Sequence, residues 1–157
     1  MIRFEGEKDF SQSIADIGAK LIDARFVVQC IPDVESLKEL ETDRAVLILR
    51  PGFSFVRGTL EGTLRIVDAV AATGVRYLIA NKGIGSSADV EATLAFEPGP
   101  NGTRIRWSAE VKALGGLLKL VPSGLIRGAA EKVIGDTWSA VEAKLNALAT
   151  PPSEGRS

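Results

Sequence analysis

The segment VRGTLEGTLRI, residues 56–66, alternates so regularly between two kinds of residue that it predicts a half-buried β-strand. The inward face of this strand would combine four apolar side chains with two glycines: Val56, Gly58, Leu60, Gly62, Leu64 and Ile66. A glycine inside a strand costs roughly 0.5 to 1 kcal/mol of backbone entropy and offers no side chain to pack. The glycines therefore predict either close packing against the sheet or a cavity, and the pattern leaves both alternatives open.

Similar alternation continues along the chain and predicts about seven strands, at residues 2–8, 34–41, 44–50, 54–70, 75–85, 87–97 and 103–113. Between the first two strands, apolar residues at helical spacing predict two short helices that meet near Asp23, with Ser11 or Ser13 as the N-cap and Pro32 as the stop. The last long segment predicts one helix from about Ser123 to Leu148. Its apolar stripe would consist of Ile126, Ala130, Val133, Thr137, Val141, Leu145 and Leu148.

The order of these elements predicts the fold class. Six consecutive strands follow one another without crossover helices, so the sheet should be antiparallel and the class α+β. An antiparallel sheet that exposes one face to solvent must bury its other face. The C-terminal helix is the one predicted element long enough to cover that buried face.

Composition limits the classes of function. The chain has 157 residues, of which 45% are hydrophobic and 25% are charged, as in an ordinary soluble globular protein. It has 19 Lys and Arg against 20 Asp and Glu, and this balance gives no indication of nucleic-acid binding. No apolar run approaches the roughly 20 residues that span a bilayer, and the start, MIRFEGEKDF, lacks the order of a signal peptide. We therefore expect a cytoplasmic protein.

The residues that are missing narrow the chemistry further. The chain has no histidine, which excludes Ser-His-Asp and Cys-His nucleophilic systems and the commonest zinc-ligand sets. The single cysteine, Cys30, has no histidine base and is expected to be a small buried hydrophobe. No GxxxxGK[ST] phosphate-binding loop is present. The sequence thus predicts no catalytic residue, no metal site and no cofactor.

Several motifs in order carry a family resemblance: FEGE at 4–7, CIPDVESL at 30–37, the glycine-spaced strand ending GTLRI, and IRGAAEKV at 126–133. Together they resemble the CoxG family of carbon monoxide dehydrogenase proteins, which belongs to the START-like, helix-grip (SRPBCC) superfamily. The resemblance implies a curved antiparallel sheet gripping the long helix, with an internal hydrophobic cavity. The length of the chain predicts one domain, over residues 1–149, and the short polar end ATPPSEGRS predicts a disordered tail at 150–157.

The function that the resemblance implies is accessory rather than enzymatic. Such proteins are associated with carbon monoxide dehydrogenases and related molybdenum hydroxylases, and with handling a hydrophobic quinone or lipid near the membrane. Peripheral contact with the inner face of the membrane is therefore a further expectation. This chain departs from the family at Asp33, where glycine is common, and at Ile17-Gly18, where a Val-Trp pair is common.

Alternation and the resemblance together predict a ligand-binding set: Gly58, Leu60, Gly62, Tyr77, Ile79, Asn81, Trp107, Ala109, Leu118, Val121 and Ile126. This lining is apolar with few polar points, which suits an isoprenoid or acyl ligand. Tyr77 and Asn81 are the best hydrogen-bond donors in it, although Tyr77 could instead be a core aromatic. Leu117 and Leu125 are also expected to face inward.

Two other classes of function stay open. A polyketide cyclase or dehydratase would need an acid or base in the cavity, but Glu61, Asp89, Glu91 and Glu110 should all point outward. A ligand-free interaction module could dock through Arg104, Arg106 and Glu110. The segment ALGGLLKLVPSG, residues 113–124, is predicted to be either a lid over the cavity, able to touch a membrane surface, or a simple lead-in to the last helix.

Overall fold

The computed structural model describes residues 2–56, 58–83 and 85–149. It contains seven strands: β1 (Ile2–Phe10), β2 (Val34–Leu40), β3 (Arg44–Leu49), β4 (Leu60–Val70), β5 (Gly74–Gly83), β6 (Ser86–Pro98) and β7 (Thr103–Gly116). The helices are α1 (Ile14–Leu21), α2 (Ala24–Val27) and α3 (Ser123–Ala149), with 3₁₀ turns at Val28–Cys30 and Leu117–Leu120.

The strands form one antiparallel sheet in the order β1-β7-β6-β5-β4-β3-β2. Consecutive strands from β2 to β7 are neighbours, as expected for hairpin connections. The first strand, β1, pairs with β7 and forms one edge of the sheet, and β2 forms the other edge. The core lies between the inner face of this sheet, the short helices and α3. The predicted α+β, helix-grip class is therefore confirmed.

The two short helices form where the sequence predicts them. Ser13 caps α1 because its hydroxyl accepts a hydrogen bond from the backbone N–H of Asp16 at 3.2 Å. Asp23 caps α2 in the same way through the N–H of Arg25 at 2.9 Å. Gly18 faces the β4–β5 turn so closely that a Cβ there would lie 1.9 Å from the carbonyl oxygen of Ala71.

The predicted stripe of α3 faces the sheet. Ile126, Val141 and Leu145 are buried, and Ala130, Val133 and Thr137 border the space between helix and sheet. The side chain of Leu148, which belongs to the same prediction, and the tail at 150–157 lie outside the described residues. Ile134 and Trp138 extend the stripe on one side.

One predicted strand is too long. The strand expected at 54–70 begins at Leu60, because its partner β3 ends at Leu49, directly opposite Leu60. Residues 50–56, 58 and 59 lie between the two strands and outside the sheet, and Gly58 there is exposed with a left-handed φ of 71°. The alternation before Leu60 therefore does not place Gly58 on the inner face.

Candidate functional site

Two adjoining cavities lie between the sheet and α3. The inner chamber has a volume of about 250 Å³ and is enclosed by β3 to β7, the short helices and the middle of α3. Its side chains are almost entirely apolar and include Leu21, Val27, Cys30, Leu47, Leu64, Tyr77, Ile79, Ala92, Leu94, Trp107, Trp138 and Val141. Among the described residues that border it there is no Asp, Glu, Lys or Arg.

The outer chamber has a volume of about 240 Å³ and lies towards the start of α3. Its wall includes Leu118 and Ile126 together with the loop between β3 and β4. In that loop Phe53 and Phe55 stack with ring centroids 5.6 Å apart and planes 7° from parallel. A pair of aromatic rings in this loop thus contributes to the wall of the chamber.

The two chambers share a wall and form one elongated apolar space. The residues that border both are Ile31, Leu49, Asn81, Val90, Ala109, Val133 and Ile134. Asn81 is the one side chain among these seven that carries hydrogen-bonding groups. An elongated ligand that occupied both chambers would pass this amide near its middle.

The side-chain amide of Asn81 is also unusual in its hydrogen bonding. Its side-chain oxygen is buried and has no hydrogen-bond partner, a state that typically costs about 1 to 3 kcal/mol. The amide is accommodated by Gly62, its cross-strand partner, where a Cβ would lie 2.9 Å from Asn81 Oδ1 and 3.1 Å from Leu49 Cδ1. Gly62 therefore leaves room for one polar group in an otherwise apolar wall.

The glycines on the inner face of the sheet have both of the roles that the sequence left open, which are close packing against a neighbour and space for a cavity. Gly6 lies opposite Trp107 in the β1–β7 register, and a Cβ there would be 2.9 Å from the indole ring. Gly83 lies opposite Leu60, whose side chain would be 2.2 Å from a Cβ. These two positions permit close packing, whereas Gly62 borders the inner chamber.

Tyr77 lines the inner chamber, but its hydroxyl is already used. It donates a hydrogen bond of 2.6 Å to the carbonyl oxygen of Leu21 at the end of α1. Burial raises the pKa of this phenol far above its ordinary value, so the proton stays on the oxygen. Tyr77 therefore ties α1 to the sheet, and Asn81 is the better candidate for contact with a ligand.

The Tyr77→Phe variant should therefore lose stability rather than ligand affinity. Removing the hydroxyl leaves the Leu21 carbonyl unpaired in a buried place, and we expect the free energy of unfolding to fall by about 1 to 3 kcal/mol. Urea unfolding measures the loss, and titration with an apolar fluorescent probe measures the affinity. A variant with unchanged stability and a tenfold weaker affinity would instead make Tyr77 a ligand contact.

Cys30 is buried at the wall of the inner chamber, as predicted. Its thiol lies 3.8 Å from the carbonyl oxygen of Phe26, and burial raises its pKa to about 11. At neutral pH the sulfur is thus a protonated, weakly nucleophilic group. It adds apolar surface to the chamber rather than reactivity.

The structure brings most of the predicted ligand-binding residues together. Gly62, Tyr77, Ile79 and Trp107 border the inner chamber, Leu60, Leu118 and Ile126 border the outer chamber, and Asn81 and Ala109 border both. Gly58 and Val121 border neither, because Gly58 lies in the β3–β4 loop and Val121 follows the 3₁₀ turn at Leu117–Leu120. Leu117 and Leu125, also expected inside, are largely exposed.

Sequence reasoning missed the aromatic contributions of the loop and the helix. The strand predicted at 54–70 includes Phe55 and begins directly after Phe53, because the alternation resumes immediately after the turn signal Pro51-Gly52. Trp138 borders the inner chamber and contacts both Phe10 and Trp107, with ring centroids 6.0 and 6.2 Å away. Trp138 lies four residues after Ile134, a spacing that places two side chains on the same face of a helix, and this spacing could have predicted its position.

Charged groups lie at the edge of the site. Asp33 and Glu110 border the outer chamber, and the Glu110 carboxylate is 3.4 Å from the Lys112 ammonium. Asp33 has a left-handed φ of 63°, a conformation that glycine adopts more readily than residues with a side chain. Within the described ranges, no group of three or more acidic or cysteine side chains could hold a metal ion. No helix in the described part of the chain is both long enough and apolar enough to cross a bilayer.

A seven-stranded antiparallel sheet around a long C-terminal helix, with an apolar cavity between them, defines a helix-grip protein. The family model for CoxG, a carbon monoxide dehydrogenase subunit, matches residues 6–146. The chain therefore belongs to the CoxG family, as its motifs predicted.

Solved structures agree on the fold. A conserved protein from Geobacillus kaustophilus is 17% identical, with a TM-score of 0.81 over 93% of this chain and 96% of that chain. The protein TTHA0849 from Thermus thermophilus is 13% identical, with a TM-score of 0.65 over 95% and 100% of the two chains. Ara h 8.0201 is 16% identical, with a TM-score of 0.63 over 93% and 98%. No curated protein matches the sequence significantly.

Proposed function

We propose that this protein binds and carries an elongated apolar molecule, a quinone or a lipid, as an accessory to a carbon monoxide dehydrogenase-type molybdenum hydroxylase. One observation carries the proposal: two contiguous apolar chambers meet at a single amide whose oxygen is buried without a partner. Membership of the CoxG family supports the accessory role and the choice of partner enzyme.

The shape of the space favours an elongated ligand. Either chamber alone is near or below the lower end of the roughly 300 to 1,000 Å³ typical of ligand sites, whereas the two together fall within that range. Each methylene that leaves water for such walls adds about 0.8 kcal/mol. A ligand with an isoprenoid or acyl tail in one chamber and a polar head near Asn81 would contact both the apolar walls and the unpaired amide.

The cyclase or dehydratase alternative has little support from the geometry. General acid–base chemistry needs a titratable group within hydrogen-bond reach of the substrate. Among the described residues, the titratable side chains that border the inner chamber are Tyr77 and Cys30, whose protons are held tightly by burial. Two carboxylates, Asp33 and Glu110, border the outer chamber, and Glu110 is paired with Lys112 at 3.4 Å. A carrier without catalysis is the function that this lining supports best.

The interaction-only alternative is weakened by the outer face of the sheet. Arg104 pairs with Asp9 at 2.8 Å, and Arg106 pairs with Glu7 at 2.9 Å and Glu97 at 3.0 Å. The charges that could serve for docking are therefore compensated within the chain. We also propose that residues 1–149 act as one domain, because one sheet and one core include all the described elements. A cytoplasmic location is part of the same proposal, since the single cysteine fits a reducing compartment.

The Asn81→Leu variant tests the role of the amide. Leucine has a similar volume but no hydrogen-bonding group, so we expect quinone affinity to fall by about 1 to 3 kcal/mol, which is roughly 5- to 150-fold. Isothermal titration with a quinone measures the change. A hydrocarbon with the same tail length serves as the matched ligand and should bind both proteins equally.

The same variant should be more stable than the wild type when no ligand is present, because it removes a buried unpaired oxygen. An equal loss of affinity for the quinone and the hydrocarbon would show that the substitution only blocks the space. Unchanged affinity for both would remove Asn81 from the binding site.

A further inference from the structure

The elongated space between the sheet and α3 has a closed end inside the protein. On β4, β6 and β7, an inward-facing residue that borders the inner chamber is followed, two positions along the strand, by a buried residue that borders neither chamber. These pairs are Leu64 and Ile66, Leu94 and Phe96, and Trp107 and Ile105. Helix α3 shows the same limit, because Val141 borders the inner chamber and Leu145, one turn later, does not.

A packed apolar layer lies beyond this closed end, and Trp138 stands between the layer and the inner chamber. The indole of Trp138 borders the chamber, is only 8% exposed, and lies with its ring centroid 6.0 Å from the Phe10 ring and 6.2 Å from the Trp107 ring. The members of the layer are buried in the core and border neither chamber: Phe10, Ile66, Phe96, Ile105 and Leu145. One side chain thus faces the cavity on one side and solid core on the other.

The opposite end of the space has a different character. The outer chamber lies towards the start of α3 and is bordered by Asp33 and Glu110, whereas no charged side chain of the described residues borders the inner chamber. The α3 residues that border the two chambers run from Ile126 to Val141, a distance of roughly 22 Å along the helix axis. A hydrocarbon tail therefore finds its most apolar surroundings at the end that Trp138 closes.

We propose that Trp138 sets the longest tail that the protein accepts, because it closes the end of the cavity against which the tail stops. The inference rests on the proposed function, since it assigns the limit of tail length to one residue of that site. Each methylene that leaves water for apolar walls should raise affinity about fourfold. Once the tail reaches the indole, which is packed against two other rings, further methylenes stay outside the cavity and affinity stops rising.

Competition against an apolar fluorescent probe, measured on the full chain, tests this role. Two series of ligands carry the same n-alkyl tails, one with a benzoquinone ring as the head and one with a hydroxyl group. We expect affinity in both series to rise with tail length and then level off. In Trp138→Ala the limiting length should increase by about two methylenes or more, because the truncated side chain leaves space towards Phe10. Tails just beyond the wild-type limit should bind this variant about fourfold more tightly for each added methylene.

Leu47→Ala is the matched control, because it also truncates a buried side chain of the inner chamber. Leu47 lies opposite Gly62, whose other cross-strand neighbour is Asn81, so this change widens the middle of the space rather than its end. It should change the affinity of all tails alike and leave the limiting length unchanged. Trp138→Leu is a second variant that removes less packing and should give a smaller shift in the same direction. Urea unfolding identifies which variants are folded.

The possible outcomes separate the role of Trp138 from the carrier function. A limiting length that stays the same in the folded Trp138 variants, or that moves equally in Leu47→Ala, would overturn the role of Trp138 and leave the carrier function intact. A shifted limit in the alcohol series without any binding of the quinones would support the role of Trp138 and overturn the quinone as the ligand. Absence of wild-type binding in both series would overturn both.

Discussion

Replacing Gly62 with leucine is expected to abolish the uptake of apolar ligands while the protein stays folded. The new side chain would start 2.9 Å from Asn81 Oδ1 and 3.1 Å from Leu49 Cδ1, and its remaining carbons would extend into the inner chamber. Both contacts are with the far ends of side chains, which can shift at a cost of about 1 to 3 kcal/mol. Fluorescence titration with an apolar probe measures uptake, and circular dichroism with urea unfolding confirms the fold.

Gly135→Leu is the matched control for this substitution. Gly135 lies on α3, and a Cβ added there would meet open space, so the same change of side chain should leave uptake intact. If the folded Gly62→Leu protein bound the probe as tightly as the wild type, the ligand would not occupy the inner chamber.

The second large effect is stabilisation by ligand that grows with the length of the apolar tail. An empty rigid cavity the size of the inner chamber would cost about 6 kcal/mol at roughly 24 cal/mol per Å³, an upper bound that rivals the 5 to 15 kcal/mol stability of a typical domain. A quinone at a hundredfold excess over its dissociation constant should add about 2.7 kcal/mol. We expect the melting temperature to rise along a series of quinones with longer isoprenoid tails and to level off when both chambers are full.

Ile126→Asp should shorten the rising part of this series. Ile126 is buried in the wall of the outer chamber, and a carboxylate there disfavours hydrocarbon beside it. Short-tailed quinones that fit the inner chamber should stabilise the variant and the wild type alike. A flat series, measured on protein first stripped of bound lipid, would favour the interaction-only function.

The order and pairing of β2 to β7 could be predicted because each hairpin connects neighbours and because the glycines and apolar residues alternate with period two. The pairing of β1 with β7 could not, because helices rather than a hairpin follow β1. The same rule failed before Leu60, where VRGT keeps the alternation after β3 has ended at Leu49. Side-chain periodicity describes which residues share a face, but a strand also needs a partner with free backbone groups. Gly58 was misplaced for that reason.

The candidate site was predictable to the extent that it depends on which face a residue occupies. Asn81 and Gly62 could be placed on the inner face from alternation, but their direct opposition in the β4–β5 register could not, because register depends on the bulges and turns that join the strands. The same holds for Leu117 and Leu118. Neighbours in a 3₁₀ turn point in different directions, so one of them is exposed and the other borders the outer chamber.

Native mass spectrometry of the wild-type protein, purified without detergent from the cytoplasm of its own host, tests the carrier function most directly. The two contiguous chambers predict one apolar molecule of quinone or lipid mass bound per chain, lost after extraction with organic solvent and absent from Gly62→Leu. A spectrum that shows only the bare mass of the chain, and that gains no adduct when long-tailed quinones are added, would contradict it.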